Sequence, residues 1–253
     1  MSLTQHLLEL RKRLFIAAIG VLAGAAAGWF LVDPVWKYLR APITVVAHSR
    51  TSGDAIINYG SVSGAFDVRV QIAITLGILI SSPVWLFEIF AFLVPGLNRK
   101  EKRYVFGFFF TAIPLFLAGA AAGFFVMPHI VELMTSFVPK QDASFLDAKG
   151  YLEFVLKLVL TTGVAFVLPV FLVLLNFIGV LQGKTILKSW RWAIIAITLF
   201  TAIATPAADV VSMLLLAAPM VVLYFASVGI SLWHDRAVAR RQQTTLDAGL
   251  AGA

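Results

Sequence analysis

The chain has 253 residues, of which 60% are hydrophobic and only 13% charged, with a mean hydropathy of +0.92. A soluble domain carries about 45–50% apolar and about 25% charged residues, so this composition is that of a polytopic membrane protein. With no cysteine, disulfides and thiolate metal sites are excluded.

Six apolar runs are long enough, or nearly so, to cross a hydrocarbon core about 30 Å thick. They are approximately 14–32, 72–94, 104–126, 154–180, 192–204 and 210–233. Irregular backbone cannot face lipid, and a barrel would show short alternating segments, so an all-α membrane protein with six transmembrane helices in a single polytopic domain is expected.

The first run is preceded by His6-Leu7-Leu8-Glu9-Leu10-Arg11-Lys12-Arg13-Leu14, with Leu7, Leu10 and Leu14 at helical spacing and Glu9 and Arg13 at i, i+4. Arg11-Lys12-Arg13 ahead of the run and Ala25-Ala26-Ala27 near its end have the pattern of a cleaved signal peptide. The run continues through Trp29-Phe30-Leu31 without a polar break, and a retained first span is expected. The amphipathic stretch reads either as an interfacial anchor helix, with one ion pair worth about 0.2–0.5 kcal/mol, or as a surface carboxylate site.

The connection Asp33–Gln71 is long, with Pro34, Pro42 and a mixed segment at Val62–Val70 that reads as an amphipathic helix. The second run contains Glu88, the only acid within a span, about two turns before Pro95. Pro95-Gly96 is a strong helix stop. The following turn holds Arg99, Lys100, Lys102 and Arg103 around a single carboxylate, Glu101. As with Glu9, two readings stand: a local ion pair on a solvated turn, or a carboxylate kept ionised by its basic neighbours for an incoming cation.

The second outer connection, Met127–Glu153, carries Pro128 and Pro139. The fourth run holds Asn176 but no acid, and Pro169 favours a kink there, as Pro219 does in the sixth. At 1.5 Å per residue the fifth run spans only roughly 20 Å, short of the hydrocarbon thickness. It ends in Thr205-Pro206-Ala207-Ala208-Asp209, and residues 234–253 read as a disordered tail. The inner segments carry thirteen bases against four acids, and the outer ones seven against eight, so both termini are expected in the cytoplasm. That asymmetry accounts for the formal charge of +7 without nucleic acid.

Gly20-x3-Gly24-x3-Gly28 and Gly119-x3-Gly123 mark close-packing faces, read as helix packing within one subunit in preference to a seat for a partner's single helix. The four histidines (His6, His48, His129, His234) have no pair at ligand spacing, so no metal or cofactor is expected. No phosphate loop, His-Glu-x-x-His or Gly-x-Ser-x-Gly motif is present, so no enzyme is expected. The alternative, a small-molecule or ion carrier, calls for ionisable residues near mid-membrane and internal repeats; only Glu88 answers the first, and repeats are not evident.

The segment from His6 to Leu14 resembles the N-terminal His-Leu-x-Glu-Leu-Arg-x-Arg-Leu signature of the TatC family. Ser82-Pro83-Val84, then Ala91-Phe92-Leu93-Val94-Pro95-Gly96-Leu97 and Glu101-Lys102-Arg103, resemble its second signature. Ala41-Pro42, Gly163-Val164-Ala165-Phe166 with Pro169, Thr205-Pro206-Ala207-Ala208-Asp209-Val210 and Ala217-Ala218-Pro219-Met220 follow in matching order. The resemblance covers about His6 to Trp233. It implies a concave six-helix arrangement with two short helices in the C-terminal half. It also implies the receptor and core subunit of the twin-arginine translocase, which exports folded proteins across the bacterial cytoplasmic (inner) membrane using the proton-motive force. The family's recognition carboxylates fall on Glu9 and Glu101 and its N-terminal bases on Arg11 and Arg13, with Arg99, Lys102 and Arg103 flanking the second carboxylate. Pro42, Phe92, Pro95, Pro169, Pro206 and Asp209 are motif positions expected to be structural. Implied partners are TatA and TatB type single-span proteins, twin-arginine signal peptides of folded cargo, the lipid bilayer and other copies of the chain. One position departs: many members carry Glu or Gln where this chain has Val167, and Glu88 is a possible polar substitute facing the same concavity.

Overall fold

The computed structural model describes residues 3–48, 56–93, 99–136, 145–205 and 210–251. Helix α1 (Leu3–Trp29) is long because nothing in its sequence breaks it before the turn at Phe30-Leu31. The chain then bends by 74° into α2 (Val32–His48). Pro34 sits in the first turn of α2, where its missing N–H leaves no helical bond unmade. Strand β1 (Ile56–Asn58) pairs in parallel with β2 (Phe145–Asp147), Ile57 opposite Leu146, and so ties the two long connections together.

Helices α3 (Gly64–Ile80) and α4 (Ser82–Leu93) form one predicted span, bent by 55° at Ser81. Pro83 explains the bend, since it has no N–H to donate back to Leu79 and disfavours helical backbone at Ser82. The Trp85 indole N–H donates to Ile78 O at 2.9 Å, satisfying a carbonyl at the broken end. Helix α5 (Arg99–Ser136) and α6 (Ala148–Phe177) follow, the latter capped by the Asp147 carboxylate accepting from Gly150 N at 2.8 Å. Short α7 (Gly183–Lys188), then α8 (Trp190–Ala204) and α9 (Val210–Ala251), complete the chain.

Close backbone approach organises the packing. A Cβ added at Gly24 of α1 would lie 2.6 Å from Gly77 O of α3, and one at Gly119 of α5 would lie 2.6 Å from Thr162 O of α6. Both glycine faces therefore serve contacts within the chain. One core layer joins Trp36 and Leu39 of α2, Ile72 of α3, Met127 of α5 and Leu152 of α6. A second joins Leu86 and Phe90 of α4, Phe109 and Phe116 of α5, and Val167 and Leu174 of α6. The Tyr151 hydroxyl donates to Leu39 O at 2.7 Å, fastening α2 across the start of α6.

The all-α reading holds, and each predicted run falls on a helix or bent pair. Among the described residues three helices are long and apolar enough to cross a membrane, two bent pairs qualify jointly, and Trp190–Ala204 is shorter. Three boundaries differ from expectation. Asp33–Gln71 is not a loop with a separate helix at Val62–Val70: α2 occupies its first part, and from Gly64 the mixed segment runs without interruption into the second span. The third run continues through Pro128 as far as Ser136. Residues 234–251, expected to be disordered, prolong α9, because alanine, arginine and glutamine favour helix and extending a formed helix avoids the nucleation cost.

Candidate functional site

The site grows from two helix faces. On α1, His6, Glu9 and Arg13 stand three and four residues apart and share one face; on α4, Glu88 and Phe92 do the same. Leu86 and Phe90 bury on α5 and α6, so Glu88, offset by two positions from each, turns the opposite way, towards α1. The His6 and Phe92 rings meet at 4.4 Å between centroids, and below them Arg13 bridges two carboxylates. Its Nε and Nη2 donate to Glu9 Oε1 at 3.1 and 2.7 Å, and Nη1 donates to Glu88 Oε2 at 3.0 Å.

Burial grades the three charges. The side chain of Glu88 is 11% exposed, while Glu9 and Arg13 keep 22% and 23%. An unpaired carboxylate at the depth of Glu88 would carry a large desolvation cost, and Arg13 is the charge that offsets it. Both bonds from Arg13 fall on one oxygen of Glu9. Among the described residues no hydrogen bond falls on its Oε2, and a carboxylate oxygen can accept two donors.

The other predicted site residues are distributed as follows. Arg11 is exposed, 5.9 Å over the Phe15 ring and away from the two carboxylates. Glu101 belongs to the first turn of α5; its side chain, and those of Arg99, Lys102 and Arg103, lie outside the described residues, as do Pro95, Pro206, Asp209 and the side chain of Pro42. Pro169 lies within α6. Val167 is buried in one cluster with Leu86, Phe90 and Phe116, so this position is filled by apolar packing. Glu88 does not replace it, because Val167 packs on the Leu86–Phe90 side of α4 and Glu88 is on the other.

A polar lock at the far end of α6 went unpredicted. Asn176 Nδ2 donates to Asp235 Oδ1 at 2.8 Å and to Leu181 O at 2.9 Å, while Gly183 N donates to Asp235 Oδ2 at 2.7 Å. Asp235 thus caps α7 from another helix, where the local cap residue Gln182 contributes no side-chain bond. His234 stacks on Phe177 at 3.9 Å. The one hint in the sequence was a polar Asn176 in an apolar run. A separate cavity of about 340 Å³ between α2, α3, α5 and α6 has Thr75 as the only polar residue among the described residues lining it, and that hydroxyl already donates to Gln71 O. Such a lining does not suit a hydrophilic solute. Among the described residues no group of His, Asp or Glu is arranged to hold a metal.

The sequence profile of the family described as "Sec-independent protein translocase protein (TatC)" matches residues 5–219. The chain belongs to the TatC family. The Sec-independent protein translocase protein TatC of Xylanimonas cellulosilytica is 42% identical over 95% of this chain and 87% of its own. The chloroplastic TATC of Arabidopsis thaliana is 32% identical over 88% of this chain and 64% of its own. Two crystal structures described as the twin-arginine translocase receptor TatC, one of them in DDM, are each 29% identical to it over 89% of this chain, with TM-scores of 0.71 and 0.75. They cover 97% and 99% of those chains. As a TatC-family member, the chain is a multi-pass membrane subunit of a protein translocase and not an enzyme.

Proposed function

We propose that this chain is the receptor for twin-arginine signal peptides and the core subunit of a translocase that exports folded proteins using the proton-motive force. In this reading it lies in a bacterial cytoplasmic membrane as one six-span domain with both termini inside. It assembles with TatA and TatB type single-span proteins and with further copies of itself. The observation that carries the proposal is Glu9: a largely buried carboxylate at the basic face, held through one oxygen by Arg13, with no described residue bonded to the other. A guanidinium offers parallel donors in a planar fork and is always charged; an ammonium is a compact point charge without that fork. Charge-assisted hydrogen bonds contribute about 1.5–3 kcal/mol each, enough to separate Arg-Arg from Lys-Lys when two carboxylates take part. Glu9 and, from the start of α5, Glu101 are the proposed pair, with Arg13 bonded to Glu9, Arg11 on the same helix, and Arg99, Lys102 and Arg103 flanking Glu101 in sequence. The exposed apolar residues Leu7, Leu14 and Phe15 of α1 offer a bed for the apolar part of the peptide, extended by the inner ends of α4 and α6.

Site-specific crosslinking of a twin-arginine peptide to the membrane-embedded chain tests this. Crosslinks beside Glu9 and Glu101 are expected to vanish with a Lys-Lys peptide and with Glu9→Ala or Glu101→Ala. Equal labelling by both peptides, indifferent to both substitutions, would refute arginine recognition.

A further inference from the structure

Arg13 occupies the position of a ligand. It is a guanidinium already seated on the carboxylate proposed to bind guanidinium, and it has a second seat on Glu88. We infer that Arg13 is an internal competitor that sets the selectivity of the site, yielding Glu9 to a cargo arginine while staying on Glu88, and refusing Glu9 to a cargo lysine. This inference rests on the receptor reading above.

Three features of the geometry carry it. Arg13 grips Glu9 poorly for an arginine: Nε and Nη2 converge on Oε1 instead of taking one oxygen each, so a guanidinium arriving with two parallel bonds improves on the contact it displaces. The exchange also leaves no buried charge alone. Glu88 is the most buried of the three side chains, and its bond from Nη1 survives when Nε and Nη2 let go. A lysine arriving at Glu9 must displace both bonds from Arg13 with a compact, strongly hydrated ammonium that has no planar fork, and the difference falls on the lysine peptide. Discrimination then comes from a contact already in place as well as from the attraction offered to the correct ligand.

The test measures binding of fluorescent Arg-Arg and Lys-Lys signal peptides to the full chain in lipid nanodiscs, for the wild type, Glu88→Gln and the double variant Arg13→Gln/Glu88→Gln. The double variant removes the competitor without stranding a buried carboxylate. Its preference for Arg-Arg over Lys-Lys is expected to fall about tenfold, or ~1.4 kcal/mol, chiefly because the Lys-Lys peptide binds more tightly. Glu88→Gln alone confines Arg13 to Glu9 and is expected to weaken Arg-Arg binding several-fold. Arg13→Lys, which keeps the charge and loses the fork, is expected to lower the preference in the same direction by less, and serves if the double variant does not fold. An unchanged preference in the double variant, or in Arg13→Lys where that variant stands in, overturns the competitor role. So does loss of Arg-Arg binding in both Glu88→Gln and the double variant, which would make Arg13 a strut. A wild type that binds both peptides equally refutes the receptor reading instead.

Discussion

Replacing Gly24 by alanine tests whether the crossing of α1 over α3 holds the site together. The new Cβ would lie 2.6 Å from Gly77 O, 3.1 Å from Gly77 Cα and 3.2 Å from Gly77 C. These atoms are backbone, so no rotamer change relieves the clash. On either side, Gly20 and Gly28 already bring a hypothetical Cβ to 2.9 Å from Val84 Cγ1 and 2.8 Å from Leu76 Cβ, so α1 cannot slide to a looser register. It must retreat by roughly 0.5–1 Å, a gap that forfeits a quarter to a half of each dispersion contact along the crossing. Overpacking of this kind costs about 1–3 kcal/mol. Better helix propensity returns about 0.5–1 kcal/mol of that, and in lipid no hydrophobic drive compensates the lost packing. Thermal unfolding in detergent, followed by tryptophan fluorescence, is expected to show a melting temperature lower by a few degrees. Gly107→Ala and Gly229→Ala are the controls: their added Cβ atoms meet nothing within 4 Å, and both variants should melt at or above the wild type. Because the retreat also draws Arg13 from Glu88, Gly24→Ala should weaken binding of an Arg-Arg peptide. A Gly24→Ala protein as stable as the two controls would refute the reasoning.

Asp235→Ala strands the donors of Asn176 and Gly183 and should cost about 1–3 kcal/mol, towards the lower end because the Asp235 carboxylate is one-third exposed. Faster proteolysis between α6 and α8 would report it, Asp235→Asn should recover part of the loss, and unchanged cleavage would count against the lock. Val167→Glu places a carboxylate among Leu86, Phe90 and Phe116 without a described partner, and is expected to lower both yield and melting temperature, as burial of an unpaired polar group costs roughly 2–7 kcal/mol. Val167→Ile should melt within a few degrees of the wild type. Wild-type melting for Val167→Glu would show that α6 presents this position to an open cavity.

Much of the architecture was legible because lipid leaves the backbone few choices. Six apolar runs had to be helices, and the glycine faces of α1 and α5 announced close crossings, whereas the bend between α3 and α4 within the second run was not foreseen. The Glu9–Arg13 bond was legible too, as an i, i+4 pair on a helix. Residues 234–251 are helical where the sequence reading expects disorder, because their alanines and arginines favour helix and continue a helix already formed.

Which residues meet across helices belonged to the tertiary structure. Sequence alone determined that Glu88 was an acid inside a span; which base would meet it was not legible there. The contact of Gly24 with Gly77 sets how far α1 is advanced and rotated against α3 and α4, and that register presents Arg13 alone to a carboxylate 75 residues away. Likewise Asn176 finds Asp235 across 59 residues because α6 and α9 pack side by side. Periodicity specifies a face; only the packing of backbones specifies what that face meets.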